Sequence, residues 1–261
     1  MCRWIAYRGE SIPLEHYVTA PAHSLVEQSI RALESTAATN GDGFGLGWYG
    51  EHPEPGLYRE VRPAWSDENL RYLCRHIRSH LFFGHVRAAT ATPTTRPNCH
   101  PFVCGRWMFM HNGEVGNWAR VRRKVEALIP DEFYPSRIGT TDSEAVFLAI
   151  LGAGVERDPV GATLRTLATL AEMGRANKEP LRFTSALTDG RNLYAFRFSA
   201  NDKSNSLYYR ASGPDLLIAS EPLDDNREVW NPVPTNHMLV ARAGAAIELS
   251  PIDLAVRIAA E

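Results

Sequence analysis

The order in which hydrophobic periodicity changes along the chain limits the fold most strongly. Short apolar runs bounded by turn residues come first, at 2–8, 44–50, 56–62, 81–87 and 106–111, and read as strands. Two helical segments interrupt them. Residues 24–37 place Leu25, Val26, Ile30, Leu33 and Ala37 at helical spacing, and 67–79 follow a Ser66 or Asp67 cap. A helical block occupies the centre, at 117–128, 142–152 and 159–175, the last with Val160, Leu164, Leu167, Ala168 and Ala171 on one face. Strands return at 183–189, 192–199, 206–211, 216–220 and 238–247, with Asp189-Gly190 as a hairpin signal. Strands, central helices and strands again are not the regular βαβα alternation of a doubly wound sheet or barrel. They predict an α+β chain of antiparallel sheets with helices layered outside.

The length suits one large domain or two small ones. The 261 residues carry a net charge of −2, with 44% hydrophobic and 22% charged residues, so residues 1–261 are expected to form one soluble domain. That charge offers no handle for nucleic acid or an anionic membrane. The one basic run, Arg120 to Lys124, has helical spacing and an acidic neighbour in Glu126, as on a solvated helix face. No apolar stretch approaches the ~20 residues of a membrane span, and residues 1–10 lack the apolar region of a signal peptide. A cytoplasmic location is the expectation, with Cys2, Cys74, Cys99 and Cys104 as free thiols.

Cys2 carries the sharpest chemical suggestion. Methionine aminopeptidases act before small residues, and removal of Met1 would expose a thiol and an α-amine on one residue. An α-amine has an ordinary pKa of about 7.7–8.0, so it can take the thiol proton near neutrality. Asn112-Gly113 can offer an amide NH2 and a backbone N–H to an oxyanion, but the same dipeptide is a strong turn signal. Arg87, ending a buried strand, suits a carboxylate or a structural ion pair, with the Thr90 hydroxyl nearby. Asp142 opens a helix within the capping-box pattern Thr141-Asp142-Ser143-Glu144; it can serve the helix or a ligand's ammonium group.

Two patterns are set aside. Gly45 to Gly50 reads G-x-G-x-x-G, yet Pro53 and Pro55 follow where a helix should begin, so it reads as a glycine-rich strand and turn. Cys99, His100, Cys104 and His111 match no zinc spacing, and neither a metal nor a cofactor is expected.

Taken together, Cys2, His85-Val86-Arg87-Ala88-Ala89-Thr90, His111-Asn112-Gly113-Glu114 and Thr141-Asp142-Ser143-Glu144 resemble the class II glutamine amidotransferases in order and rough spacing. Residues 41–49, 98–102 and 219–223 resemble the small, stand-alone YafJ-type branch, and the resemblance covers most of 2–245. It implies an N-terminal-nucleophile hydrolase with a four-layer αββα sandwich. It also implies that Cys2 forms a γ-glutamyl thioester, that Asn112 and Gly113 make the oxyanion hole, and that Arg87 with Thr90 holds the substrate carboxylate while Asp142 holds its ammonium. The larger amidotransferases carry Trp and His where this chain has Ala88 and Ala91, which implies a different closure over substrate.

The expected substrate is therefore glutamine or another γ-glutamyl amide, as in the related branch of ergothioneine synthesis. Released ammonia, if used, requires an accepting partner protein. A non-catalytic γ-glutamyl sensor or regulatory subunit on the same fold is the rival reading. A processing peptidase ranks last, because Arg87 and Asp142 suit a free amino acid better than an internal peptide.

Overall fold

A computed structural model of the chain describes residues 2–34, 39–89, 92–178 and 181–254. In chain order the elements are β1 (Arg3–Pro13), α1 (Glu15–Val18), α2 (Leu25–Ile30), β2 (Phe44–Trp48), β3 (Gly56–Glu60), α3 (Glu68–His76), β4 (Arg78–Val86), β5 (Phe102–Cys104) and β6 (Trp107–Glu114). The central helices are α4 (Trp118–Glu126), α5 (Asp142–Gly152) and α6 (Pro159–Asn177). Then come β7 (Arg182–Thr188), β8 (Leu193–Ser199), β9 (Tyr208–Ser212), β10 (Asp215–Ala219), β11 (Asn231–Pro232), β12 (His237–Ala241) and β13 (Glu248–Pro251). None of the described helices is long and apolar enough to cross a membrane.

The strands form two antiparallel sheets, ordered β11-β9-β10-β1-β4-β2-β3 and β13-β12-β8-β7-β6-β5. Three apolar cores define the layers. Trp4, Ala6, Phe83, Met110, Ala195 and Ile218 fill the space between the sheets. Ile5, Tyr7, Leu25, Leu70 and Phe82 join the first sheet to α1–α3. Phe109, Phe147, Leu167, Phe183 and Phe196 join the second sheet to α4–α6. The result is the expected αββα sandwich. Because the first half of β1 is buried on both faces, Trp4 to Tyr7 read as a continuous apolar run rather than an alternating one.

The central helices follow their local signals. Asp158 accepts from Gly161 N at 2.8 Å, with Pro159 next in the first turn of α6. Asp67 caps α3 by accepting from Leu70 N at 2.9 Å. Thr141 caps α5, but Glu144 does not complete a capping box; its carboxylate turns to Arg137 and the Gly139 N–H instead.

Three boundaries differ from the reading of the sequence. The helix expected over 24–37 ends at Ile30, and residues 35–38 lie outside the described residues. Leu33 N and Glu34 N donate to the Glu221 carboxylate at 3.1 and 2.8 Å, which draws this backbone out of the helix. The expected strand over 238–247 breaks after Ala241, and a turn with Gly244 at φ +74° leads to β13. Asn112-Gly113 makes no turn: β6 continues through Glu114, paired with β7. The Gly45 to Gly50 stretch is β2 and the turn after it. A Cβ on Gly45 would stand 2.2 Å from the His100 carbonyl, so glycine permits the backbone approach there.

β1 lies between β10 and β4, and its N-terminal end is anchored from behind. Ser220 Oγ accepts from Trp4 N at 3.0 Å, and Ser220 N donates to the Trp4 carbonyl at 3.0 Å. The fully buried Arg3 guanidinium lies 3.6 Å from the fully buried Glu221 carboxylate. Burial by itself would raise the Glu221 pKa. The His23 hydrogen bond, the Glu34 and Leu33 N–H groups and the Arg3 charge outweigh it and hold the carboxyl below its ordinary value.

Two expectations test this scaffold. Gly45→Ala forces the Gly45 and His100 backbones apart and should cost about 1–3 kcal/mol, read as a lower midpoint in urea unfolding. Glu221→Gln leaves Arg3 buried without an anion and should cost about 3–5 kcal/mol at pH 7. A depressed carboxyl stabilises fully above its unfolded pKa of ~4.3 and loses this as pH falls through its lower folded value. The stability gap between wild type and variant should therefore hold from pH 7 to ~4.5 and narrow below, as urea titrations at each pH will show.

Candidate active site

A cavity of about 120 Å³ opens where the ends of β1, β4 and β6 meet the start of α5. Cys2, Arg87, Asn112, Gly113 and Asp142 all line it. Five of the six site residues expected from sequence are thereby brought together. Thr90 lies outside the described residues, as does Ala91. Drug-sized ligands occupy sites of roughly 300–1,000 Å³, so this space suits a smaller molecule.

Cys2 comes immediately before β1, whose register pairs Arg3 with Val86. That pairing places residue 2 beside Arg87, just beyond the end of β4. The Cys2 thiol is part-buried and donates to the Ala88 carbonyl at 3.7 Å. Burial pushes its pKa up, opposed by hydrogen bonding at the Ala88 backbone and by the positive charges of Arg87 and Arg3. The thiol therefore needs a proton acceptor to become a nucleophile near neutral pH.

Arg87 is 3% exposed. It donates to the Asp42 carbonyl at 3.3 Å and to the Thr92 carbonyl and Oγ1 at 3.2 and 2.7 Å. Among the described residues no carboxylate pairs with it, so the structural ion pair considered from sequence is not formed. A buried guanidinium held by neutral oxygens keeps its charge and part of its five-donor fork for an anion. The loop supporting it is fixed by Asp42, which accepts from Ala89 N at 2.8 Å, and by Gly43 at φ +107°.

The second sheet supplies the opposite wall. Asn112 Nδ2 donates to the Cys2 carbonyl at 2.9 Å, using one of its two amide hydrogens. Gly113 follows in β6. A Cβ there would lie 2.0 Å from the Arg182 carbonyl and 2.4 Å from His111 Nε2, so only glycine fits this position. Asn205, which no sequence signal marks, also lines the cavity and donates to the Asn112 carbonyl at 3.0 Å. Thr92 was equally unmarked.

Asp142 is the first residue of α5, and the cap is its neighbour Thr141. Its Oδ2 accepts from Val115 N at 2.9 Å and its Oδ1 from Ser143 N at 2.8 Å. No described cation pairs with it. Besides Glu114 and Arg182, which pair with each other, the cavity thus carries one cation and one anion, each held by neutral groups, which is complementary to an amino-acid zwitterion.

Three buried histidines cluster here, an assembly the linear spacing conceals; His100 and His111 line the cavity. The His85 and His100 rings stack at 4.2 Å, and His111 lies close to both. Burial is the largest influence on each. It lowers His85 to about 3, His100 well below 6.5 and His111 below its ordinary value, so all three are neutral near pH 7. No group of three or more His, Cys, Asp or Glu among the described residues is placed to hold a metal ion.

The chain's similarities to known proteins agree with this arrangement. Residues 18–211 match the family described as Glutamine amidotransferases class-II. Over 302 aligned residues the chain is 33% identical to the probable glutamine amidotransferase DUG3 of Saccharomyces cerevisiae, spanning 97% of this chain and 84% of that protein. It is 27% identical to the gamma-glutamyl-hercynylcysteine sulfoxide hydrolase of Mycolicibacterium smegmatis, over 97% of this chain and all of that one. A solved structure of a glutamine aminotransferase class-II domain protein from Silicibacter pomeroyi superposes with a TM-score of 0.76 at 38% identity, covering 97% of this chain and 100% of that one. With the sandwich, the position of Cys2 and these similarities in agreement, the chain belongs to the class-II glutamine amidotransferases.

Proposed function

We propose that this chain is a glutamine amidohydrolase that releases ammonia through a γ-glutamyl thioester on Cys2. The observation that carries the proposal is the convergence in one cavity of a thiol at the start of β1, a buried guanidinium with no described carboxylate partner, and a carboxylate with no described cation partner.

In this reading Met1 is removed, and the Cys2 α-amine takes the thiol proton. The sulfur attacks the side-chain amide carbon, and the oxyanion receives the free Asn112 amide hydrogen and the Gly113 N–H. The C–N bond breaks, the α-ammonium returns the proton to the leaving nitrogen, and ammonia departs. Water then attacks the thioester, the C–S bond breaks, and glutamate leaves with the thiol restored. Arg87 holds the substrate α-carboxylate, with Thr90 assisting, and Asp142 holds the α-ammonium. Ammonia that is used rather than lost passes to a partner protein.

A larger γ-glutamyl amide is the second reading. One wall of the cavity, formed by the Glu114–Arg182 pair, is open to solvent, with those side chains 55% and 43% exposed. A leaving group bulkier than ammonia can project there. Comparing kcat/KM for glutamine and for γ-glutamyl amides with larger leaving groups distinguishes the two.

In protein shown by intact mass to begin at Cys2, 6-diazo-5-oxo-norleucine should add to Cys2, and Cys2→Ala should abolish ammonia release. Ammonia release at the wild-type rate by Cys2→Ala would end the proposal. Arg87→Met removes the proposed carboxylate clamp and should raise KM for glutamine by at least about tenfold, with a smaller fall in kcat. Steady-state kinetics on the two proteins will show whether the loss lies in binding.

A further inference from the structure

His111 lines this cavity between Asn112 and the start of α5. It precedes Asn112 in β6, its ring is 1% exposed, and it packs on Phe183 at 4.9 Å between centroids. Its Nδ1 is 2.9 Å from Ser143 Oγ, and its Nε2 is 3.3 Å from the Arg182 carbonyl. The same Ser143 Oγ is 3.2 Å from Asp142 Oδ1.

These distances pose a proton-counting problem. A serine hydroxyl has one proton, so Ser143 can donate to His111 or to Asp142 but not to both. A carbonyl only accepts, so the contact with Arg182 requires the imidazole proton on Nε2. Nδ1 is then a lone pair, and Ser143 donates to it. The opposite tautomer sends the Ser143 proton to Asp142 and sets the Nε2 lone pair against the Arg182 carbonyl, two acceptors face to face. Burial keeps the ring neutral, so it carries only one proton to share between its nitrogens.

We propose that His111 is a positioning residue for the ammonium subsite: its Nδ1 accepts the hydrogen bond of the Ser143 hydroxyl and so keeps the Asp142 carboxylate open to the cationic end of an amino-acid substrate. This rests on the assignment of Asp142 made above. Without an acceptor at residue 111, the Ser143 hydroxyl turns to Asp142 Oδ1 and competes with the substrate for it.

The test uses the full chain beginning at Cys2, with L-glutamine and its des-amino analogue 5-amino-5-oxopentanoate, which lacks the ammonium. His111→Leu should raise KM for glutamine roughly tenfold, with kcat little changed and no comparable loss for the analogue. His111→Gln, whose carbonyl can accept the hydroxyl, should recover much of the loss. So should Ser143→Ala added to His111→Leu, because the competing donor is gone. Equal losses for both substrates, or a double variant no better than the single one, would overturn the proposal while leaving the amidohydrolase in place. A wild type that turns over no γ-glutamyl amide removes both. Nitrogen-15 NMR of the wild type reads the tautomer without any substitution: Nε2–H is expected, and Nδ1–H overturns the proposal.

Discussion

The pairing of β1 between β4 and β10 is the constraint on which the rest of the molecule depends. A thiol this close to a terminus would ordinarily fray with it. Here the next residues are wholly buried, hydrogen-bonded on both edges and tied at the back by Ser220 and Glu221. The register with β4 brings Cys2 beside Arg87, and the packing of Trp4 and Ala6 onto the second sheet brings it to Asn112. One strand placement therefore sets the Cys2 thiol against two walls that are far apart in sequence.

Charge is distributed by the same burial. Low polarity around the site raises the thiol and neutralises the three histidines. Arg87 and Asp142 remain as the charged groups without described ionic partners. Each is held by backbone groups or hydroxyls, which orient a charge without cancelling it. Such a site is complementary to a small zwitterion and leaves the thiol dependent on a proton acceptor close to it.

The sequence was most informative where local chemistry and tertiary demand coincide. Asp67 and Thr141 cap the helices they precede, and Pro159 begins α6. It was least informative where a distant group overrides local preference. The helical period around Ile30 and Leu33 fails because Glu221, far along the chain, captures the backbone N–H groups, leaving both side chains well exposed. Glu144 looks like a capping-box partner but is taken by Arg137. Asn112-Gly113 looks like a turn but is carried straight by pairing with β7.

The sequence by itself determined the layer order, through its two blocks of strands around central helices, and pointed to the candidate residues Cys2, Arg87, Asn112, Gly113 and Asp142, which the fold brings to one cavity. These are properties of spacing and functional groups, which the covalent chain carries unchanged. Only the tertiary structure decided that Arg87 has no described carboxylate against it, that Thr92 and Asn205 support the site, and that His100 and His111 line it with His85 stacked on His100. Those outcomes depend on which two sheets face each other and in what register. A partner supplied from another strand leaves no mark in the residues beside it.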